Sequence, residues 1–147
     1  MLGLNRKNIV LLMAAISLVG ASVIAADIIK TRKDNMEMLK DAMKAINGVI
    51  ESGGPAGGAA EPAQQIADIA KKIPELFPQG SDQGDTTAKP EIWQNWDKFT
   101  SQAQDTEKAA LAVLAAAKSG DIAQLTTSYK MLGGTCGSCH QDFKAKK

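Results

Sequence analysis

The chain has 147 residues, of which 44% are hydrophobic and 22% are charged, and its formal net charge at pH 7 is +1. This length fits a single domain, and the near-neutral charge balance excludes nucleic acid or an anionic membrane surface as a partner bound by net charge. The chain contains two cysteines and one histidine, so a zinc site built from four Cys and His ligands is also excluded.

Residues 1–26 have the pattern of a secretory signal peptide. Arg6 and Lys7 precede an apolar run over residues 9–26, and the run ends in small residues that suit signal peptidase. We therefore expect a mature domain over residues 27–147 with a formal charge of −1, since 15 basic and 16 acidic residues remain. The run is also long enough to serve as an uncleaved membrane anchor.

Apolar residues recur at spacings of three and four along four segments of the mature chain, which predicts four amphipathic helices. Glycine and proline separate the first two helices over residues 53–58, and a polar stretch over residues 77–90 predicts a long crossover loop. Ser119-Gly120-Asp121 predicts a tight turn. The helices are expected at residues 28–50, 61–76, 91–118 and 122–143.

No strand is predicted, so the expected fold is an all-α antiparallel four-helix bundle. The third and fourth helices should be neighbours, because the turn that connects them is short. The third helix is expected to turn one face to the core, formed by Ile92, Trp96, Phe99, Ala103, Thr106, Ala110, Val113 and Ala117.

The pentapeptide Cys136-Gly137-Ser138-Cys139-His140 has the C-x-x-C-H attachment pattern of a c-type haem. Two thiols three residues apart on a helix can each form a thioether with one haem vinyl group, and the adjacent imidazole then lies beneath the iron as its proximal ligand. A thioredoxin-like pair would require a βαβ pattern, which the sequence lacks. The motif therefore predicts one covalent haem c, and the alternative is an exported dithiol protein without haem.

Cys136 and Cys139 continue the apolar face of the fourth helix that Leu125 and Leu132 begin, so both thiols are expected to point into the bundle. The haem would then lie in the core, and His140 would reach its iron from the same helix. Covalent haem attachment of this kind takes place outside the bacterial cytoplasm. The motif therefore agrees with the signal peptide, and we expect a periplasmic protein.

Three residues outside the motif are further candidates for the haem site. Arg32 lies on the inner face of the first helix, where a charge is costly unless paired. It is predicted to pair with a haem propionate, and the alternative is a side chain that extends to solvent. Met36, one turn later, either ligates the iron as a sixth ligand or packs as an ordinary apolar residue. Asn95, between two tryptophans, is placed to reach a propionate.

These residues resemble those of the cytochrome c′ family, the class II cytochromes c, over nearly all of the mature chain. Arg32-Lys33-Asp34-Asn35-Met36 resembles the family's Arg-x-x-x-Leu/Met pattern, in which the Arg lies by a propionate, and it makes Lys33 a further candidate for cofactor binding. Pro90-Glu91-Ile92-Trp93 resembles the start of the family's third helix. Cys136 to Lys144 resembles its C-x-x-C-H-x-x-aromatic-basic ending.

The resemblance implies a five-coordinate, high-spin haem that binds nitric oxide and carbon monoxide, and a homodimer formed through the first two helices. A low-spin branch of the family uses a Met of the first helix as sixth ligand, which would make Met36 a ligand and electron transfer the main function. Because His140 is the only histidine, bis-histidine ligation within one chain is excluded. We therefore expect an exported haem protein, not an enzyme, that exchanges electrons with a partner protein or binds diatomic gases.

Overall fold

The computed structural model describes residues 6–146, with side chains from residue 26 onward. Over this range the chain forms five α-helices, which are α1 Arg6–Ser52, α2 Ala60–Lys72, α3 Glu91–Gln94, α4 Trp96–Ser119 and α5 Ile122–Phe143. The helix α4 packs against both α2 and α5, and α1 packs mainly against α2. The predicted all-α four-helix bundle is confirmed, with α1, α2, α4 and α5 as its long helices.

The predicted signal peptide, residues 1–26, lies almost entirely outside the side chains that the structure describes, and its first five residues also lie outside the described backbone. The first helix was expected to start near residue 28, whereas α1 begins at Arg6. The difference has a simple cause, because the apolar run over residues 9–26 is rich in helix-forming residues and contains no proline. Within the described part of the chain, none of the helices combines the length and the apolar character that crossing a membrane requires.

Proline and asparagine shorten two of the expected helices. The helix α2 ends at Lys72 and gives way to a 3₁₀ turn over Ile73–Leu76, since Pro74 has no N–H with which to continue the α-helical pattern. The third expected helix is broken at Asn95, whose backbone leaves the helical region at φ −127° and ψ 50°. Its side-chain amide donates to the carbonyl of Glu91 at 3.2 Å, a local bond of the kind that competes with a helix.

The break at Asn95 corrects one prediction about the core. Ile92 is 1% exposed and Phe99 is 2% exposed, but Trp96 is 37% exposed. Trp96 therefore does not face the core as expected, because the interruption at Asn95 disturbs the three-four spacing that joins it to Ile92. The other five residues expected on this face are all buried.

Two hydrophobic clusters fill the bundle. The first draws residues from all four long helices, among them Ile46 and Leu125. The second lies at the other end of α5 and contains Phe99, whose ring centroid is 4.8 Å from that of Phe77 and 5.3 Å from that of Phe143. Both ring pairs meet edge to face, an arrangement that adds to the stabilisation from burial. This aromatic cluster therefore packs beside the end of α5 that carries the cysteines and the histidine.

The turn between α4 and α5 forms as predicted. Gly120 takes a left-handed conformation with φ 80°, which glycine adopts without steric cost. The carboxylate Oδ1 of Asp121 then accepts the backbone N–H of Gln124 at 2.9 Å and caps α5. This short connection places α5 directly against α4.

Candidate functional site

The inner face of α1 is only partly covered. The two ends of this face are buried at Ile29 and Ile46, as expected for the apolar face of a helix in a packed bundle. Between them Met36, Leu39 and Met43 are half-buried. Large apolar side chains on an inner face are normally buried, so the bundle leaves room beside the middle of α1.

The facing side of α5 shows the same incomplete burial. Leu132 and Phe143 are 0% and 4% exposed. Cys136 and Cys139, which lie between them on the same face, are only half-buried. Cys136 packs against the same cluster as Leu39 and Met43, and Cys139 packs against the same cluster as Met36.

We call this region the α1–α5 slot, defined by Met36, Leu39 and Met43 on α1 and by Cys136 and Cys139 on α5. A Cβ added at Gly133 would meet nothing nearer than the terminal methyl of Met43, at 4.0 Å, so there is unfilled space between α1 and α5 at this point.

Both cysteine thiols are free rather than joined in a disulfide. Burial raises the pKa of both groups, and for Cys139 the charges of Cys136 and Asp142 add to the effect and raise the pKa to about 11. At neutral pH the thiolate form that would start disulfide exchange is therefore scarce. The two sulfurs remain available for attachment to a third group.

His140 follows Cys139 directly and is exposed at the side of the slot. Partial burial of the ring, followed by the positive charge of Lys144, lowers the pKa of His140 below its usual value. The imidazole is therefore neutral at pH 7 and keeps a nitrogen lone pair, the form that binds a metal ion. Within the described residues, no side chain or backbone group forms a hydrogen bond with a ring nitrogen of His140.

This donor set fits a haem c. Two thiols one helical turn apart on an inner helix face, with an adjacent neutral imidazole, supply the two thioether sulfurs and one axial nitrogen. The half-buried apolar residues of the slot would cover the faces of a flat, largely apolar group. Cys136, Cys139 and His140 are thus the residues that would hold the haem, and the incomplete closure between α1 and α5 is the space that it needs.

Arg32 lies at one end of the slot and is 4% exposed, so its side chain does not extend to solvent. Its guanidinium donates to Ser81 Oγ at 3.1 Å, to the Ser81 carbonyl at 2.6 Å and to Thr86 Oγ1 at 3.4 Å. It also lies over the ring of Phe77, with the central carbon 4.5 Å from the ring centroid. Burial lowers the pKa of Arg32, and the negative charge of Asp82 opposes the shift.

These partners were not foreseen from the sequence, because they lie 49 and 54 residues from Arg32 in the predicted crossover loop. The only sequence signal was the polar character of that loop. A guanidinium carries five N–H donors, so donors remain for an anionic group at the slot.

Two of the remaining candidates are exposed and form bonds with other residues. Lys33 is exposed, and its Nζ forms an ion pair with Asp85 Oδ2 at 2.5 Å. Asn95 is exposed at the junction of α3 and α4, where its side-chain amide donates a hydrogen bond to the Glu91 carbonyl. A contact between Asn95 and a haem propionate stays a prediction.

A polar cluster next to the C-x-x-C-H motif was also not predicted from the sequence. Asp142 Oδ2 accepts from Lys98 Nζ at 2.9 Å and from Gln102 Nε2 at 2.8 Å, and these bonds lower the pKa of Asp142. Lys89 Nζ donates to the Asp142 carbonyl at 2.6 Å. The cluster ties the end of α5, just past His140, to α4 and to the loop before α3.

Comparisons with known proteins agree with this donor set. The family model described as cytochrome C′ matches residues 27–144. A cytochrome c′ of Pararhodospirillum photometricum is 35% identical over 118 residues, which cover 79% of this chain and 94% of the relative. A cytochrome c-556 of Agrobacterium fabrum is 36% identical over 132 residues, 88% of this chain and 89% of the relative.

Among solved structures, one cytochrome c′ superposes on this chain with a TM-score of 0.78 and 29% identity. The alignment covers 83% of this chain and 97% of that protein, which is described as having ligand-controlled dimer dissociation.

The first test concerns the two thiols. We expect that replacing Cys136 and Cys139 by alanine abolishes covalent attachment, so that acidified organic solvent extracts the haem from the variant but not from the unaltered protein. Each single variant should retain one thioether and resist extraction. Ser138→Ala, a change between the two cysteines at an exposed side chain that bonds only the Gly134 carbonyl, is the matched control. Haem that extracts from the unaltered protein would contradict the assignment.

Proposed function

This chain belongs to the cytochrome c′ family, whose cofactor is a covalently bound haem c, and from that premise we propose that it is an exported gas-binding protein. In this proposal Cys136 and Cys139 hold the haem, His140 ligates the iron on one side, and the other side stays open to nitric oxide and carbon monoxide. The haem supplies an iron that binds a diatomic gas when its sixth position is open. The residues of the slot decide whether that position is open.

The observation that carries the open site is the environment of Met36. Its side chain is half-buried and packs against the aromatic cluster that contains Phe77 and Phe99. A thioether engaged in packing of this kind serves as an apolar wall. Met36 then covers the distal side of the slot without bonding to the iron, and the site favours small neutral ligands.

Electron transfer is the second candidate, and the same residue supports it. Met36 and Cys139 pack against one cluster from two different helices, so they belong to opposite walls of the slot. A thioether that reached the iron would make it low-spin and raise its reduction potential. The partner would then be an electron-transfer protein rather than a gas.

Export is part of the proposal. The family match begins at residue 27, directly after the predicted signal peptide over residues 1–26, and that segment has the charge and small-residue pattern of a cleaved signal. Thioether attachment of haem takes place outside the bacterial cytoplasm, which supports a periplasmic location for the mature protein. Because its single histidine serves the iron, the chain keeps no imidazole for acid–base turnover, and we propose no enzymatic activity.

A homodimer also belongs to the proposal. The solved cytochrome c′ with ligand-controlled dimer dissociation shares the fold of this chain. On α1 of this chain, Met38 is 44% exposed. An apolar side chain at that position is suited to a contact between first helices.

Met36→Ala tests the open site. If Met36 is a wall, the variant should keep a high-spin resting spectrum and bind carbon monoxide faster, by about tenfold if the lost bulk lowers the barrier by about 1.4 kcal/mol. Stopped-flow absorbance measures the rate. Met131→Ala, the same change at a side chain of α5 that is 65% exposed and is not part of the slot, should leave both the rate and the spectrum unchanged.

The opposite result would favour electron transfer. A resting low-spin spectrum that Met36→Ala converts to high-spin would identify Met36 as a ligand and contradict the open site.

Arg32→Leu tests the propionate contact. A buried cation beside a propionate stabilises the reduced haem, so its loss should lower the reduction potential by an amount on the order of tens of millivolts. Lys33→Leu removes the same charge from the next residue, which is exposed and screened, and should have a much smaller effect. Equal shifts in the two variants would show that Arg32 acts only as a distant charge.

A further inference from the structure

The segment between α2 and α3 crosses from one wall of the slot to the other. We call residues 77–89 the strap. At its α1 end the strap carries Ser81, which is 1% exposed and accepts two hydrogen bonds from Arg32. Gly84, with φ 107°, lets the backbone pass close to α1, since a Cβ there would lie 3.5 Å from Ile29 Cδ1. Asp85 pairs with Lys33 on the same helix.

The other end of the strap is bound to the end of α5. The backbone N–H of Lys89 donates to the Phe143 carbonyl at 3.0 Å, and that of Ala145 donates to the Thr87 carbonyl at 2.8 Å. These bonds form an antiparallel bridge between Ala88 and Lys144. The residues just past His140 are therefore fixed to the strap by backbone bonds.

Thr86 joins the two ends. Its Oγ1 accepts from Arg32 Nη2 at 3.4 Å and from the backbone N–H of Ala88 at 3.1 Å. One hydroxyl thus contacts the guanidinium on α1 and the residue that bridges to the tail of α5. Thr86, which bonds Arg32, directly precedes Thr87, whose carbonyl accepts from the backbone N–H of Ala145.

The strap itself is held in place. Ser81 Oγ donates to the Pro78 carbonyl at 2.8 Å, and Trp93 Nε1 donates to the carbonyl of Phe77 at 2.9 Å. The ring of Phe77 belongs to the aromatic cluster. A segment that is fixed at its start and bonded to α1 and to the end of α5 can transmit a displacement from one wall to the other.

We propose that the strap sets the separation of α1 and α5 across the haem slot, with Ser81 and Thr86 as positioning residues for His140. The main packing partner of α5 is α4 and that of α1 is α2, so the strap is a direct polar link between the two walls. Through it, the position of Arg32 at one end of the slot governs the position of the α5 turn that bears the imidazole. The proposal rests on the haem placement given above and extends it to the control of the iron environment.

The test uses the intact haem protein with the double variant Ser81→Ala, Thr86→Val. Hydrogen exchange followed by mass spectrometry reports on the C-terminal peptide that contains Ala145. If the strap transmits the change, exchange there should be faster by about threefold or more, the size expected from weakening one hydrogen bond. Thr126→Val is the matched control, because that half-buried hydroxyl bonds only the Ile122 carbonyl of its own helix.

The second readout is the reduction potential of the haem, which a purely structural role would leave at the value of the control. We expect a shift in the double variant beyond any seen in Thr126→Val. Unchanged exchange at the C-terminal peptide would overturn the proposal, and so would faster exchange without a change in potential. Neither readout uses a gas, so failure of the unaltered protein to bind carbon monoxide would contradict the proposed gas binding alone.

Discussion

The arrangement of this bundle depends on one constraint, which is that α5 supplies both thiols and the imidazole from a single stretch of five residues. A flat group attached to one helix in this way occupies the space that the opposite helix would otherwise fill. The structure meets the constraint by leaving Met36, Leu39 and Met43 of α1 half-buried where Cys136 and Cys139 face inward. The tight packing of α4 against α2 and α5 then supports the bundle on its other side.

Arg32 is a buried charged residue at one end of the α1–α5 slot. A buried cation is tolerated only with partners, and here the partners are a hydroxyl, a backbone carbonyl and an aromatic face rather than a carboxylate. The same bonds hold the crossover loop against α1. A residue expected to serve the haem therefore also organises the segment that joins α1 to the end of α5.

The sequence predicted the fold and the inward position of both thiols on α5, because both depend on local spacing. The three-four periodicity that places Leu125 and Leu132 inward also carries Cys136 and Cys139 to the same face of α5. Trp96 was misplaced because Asn95 ends α3, and a side-chain bond to the backbone of Glu91 is not visible as a break in apolar periodicity.

Contacts between distant residues could not be predicted in the same way. Ser81 and Thr86 reach Arg32 only after the crossover loop has folded back over α1, and Asp142 meets Lys98 and Gln102 only once α4 and α5 are aligned. Polar residues in a loop give no periodicity from which such pairings follow. These polar contacts near the slot are therefore seen only in the folded structure.

The spin state of the iron in the unaltered, oxidised protein at neutral pH tests the account most directly, and absorption together with electron paramagnetic resonance measures it. A haem held by His140 alone, with Met36 packed as a wall of the slot, should be high-spin. A low-spin spectrum with a thioether ligand would contradict the open site and make electron transfer the function of this chain.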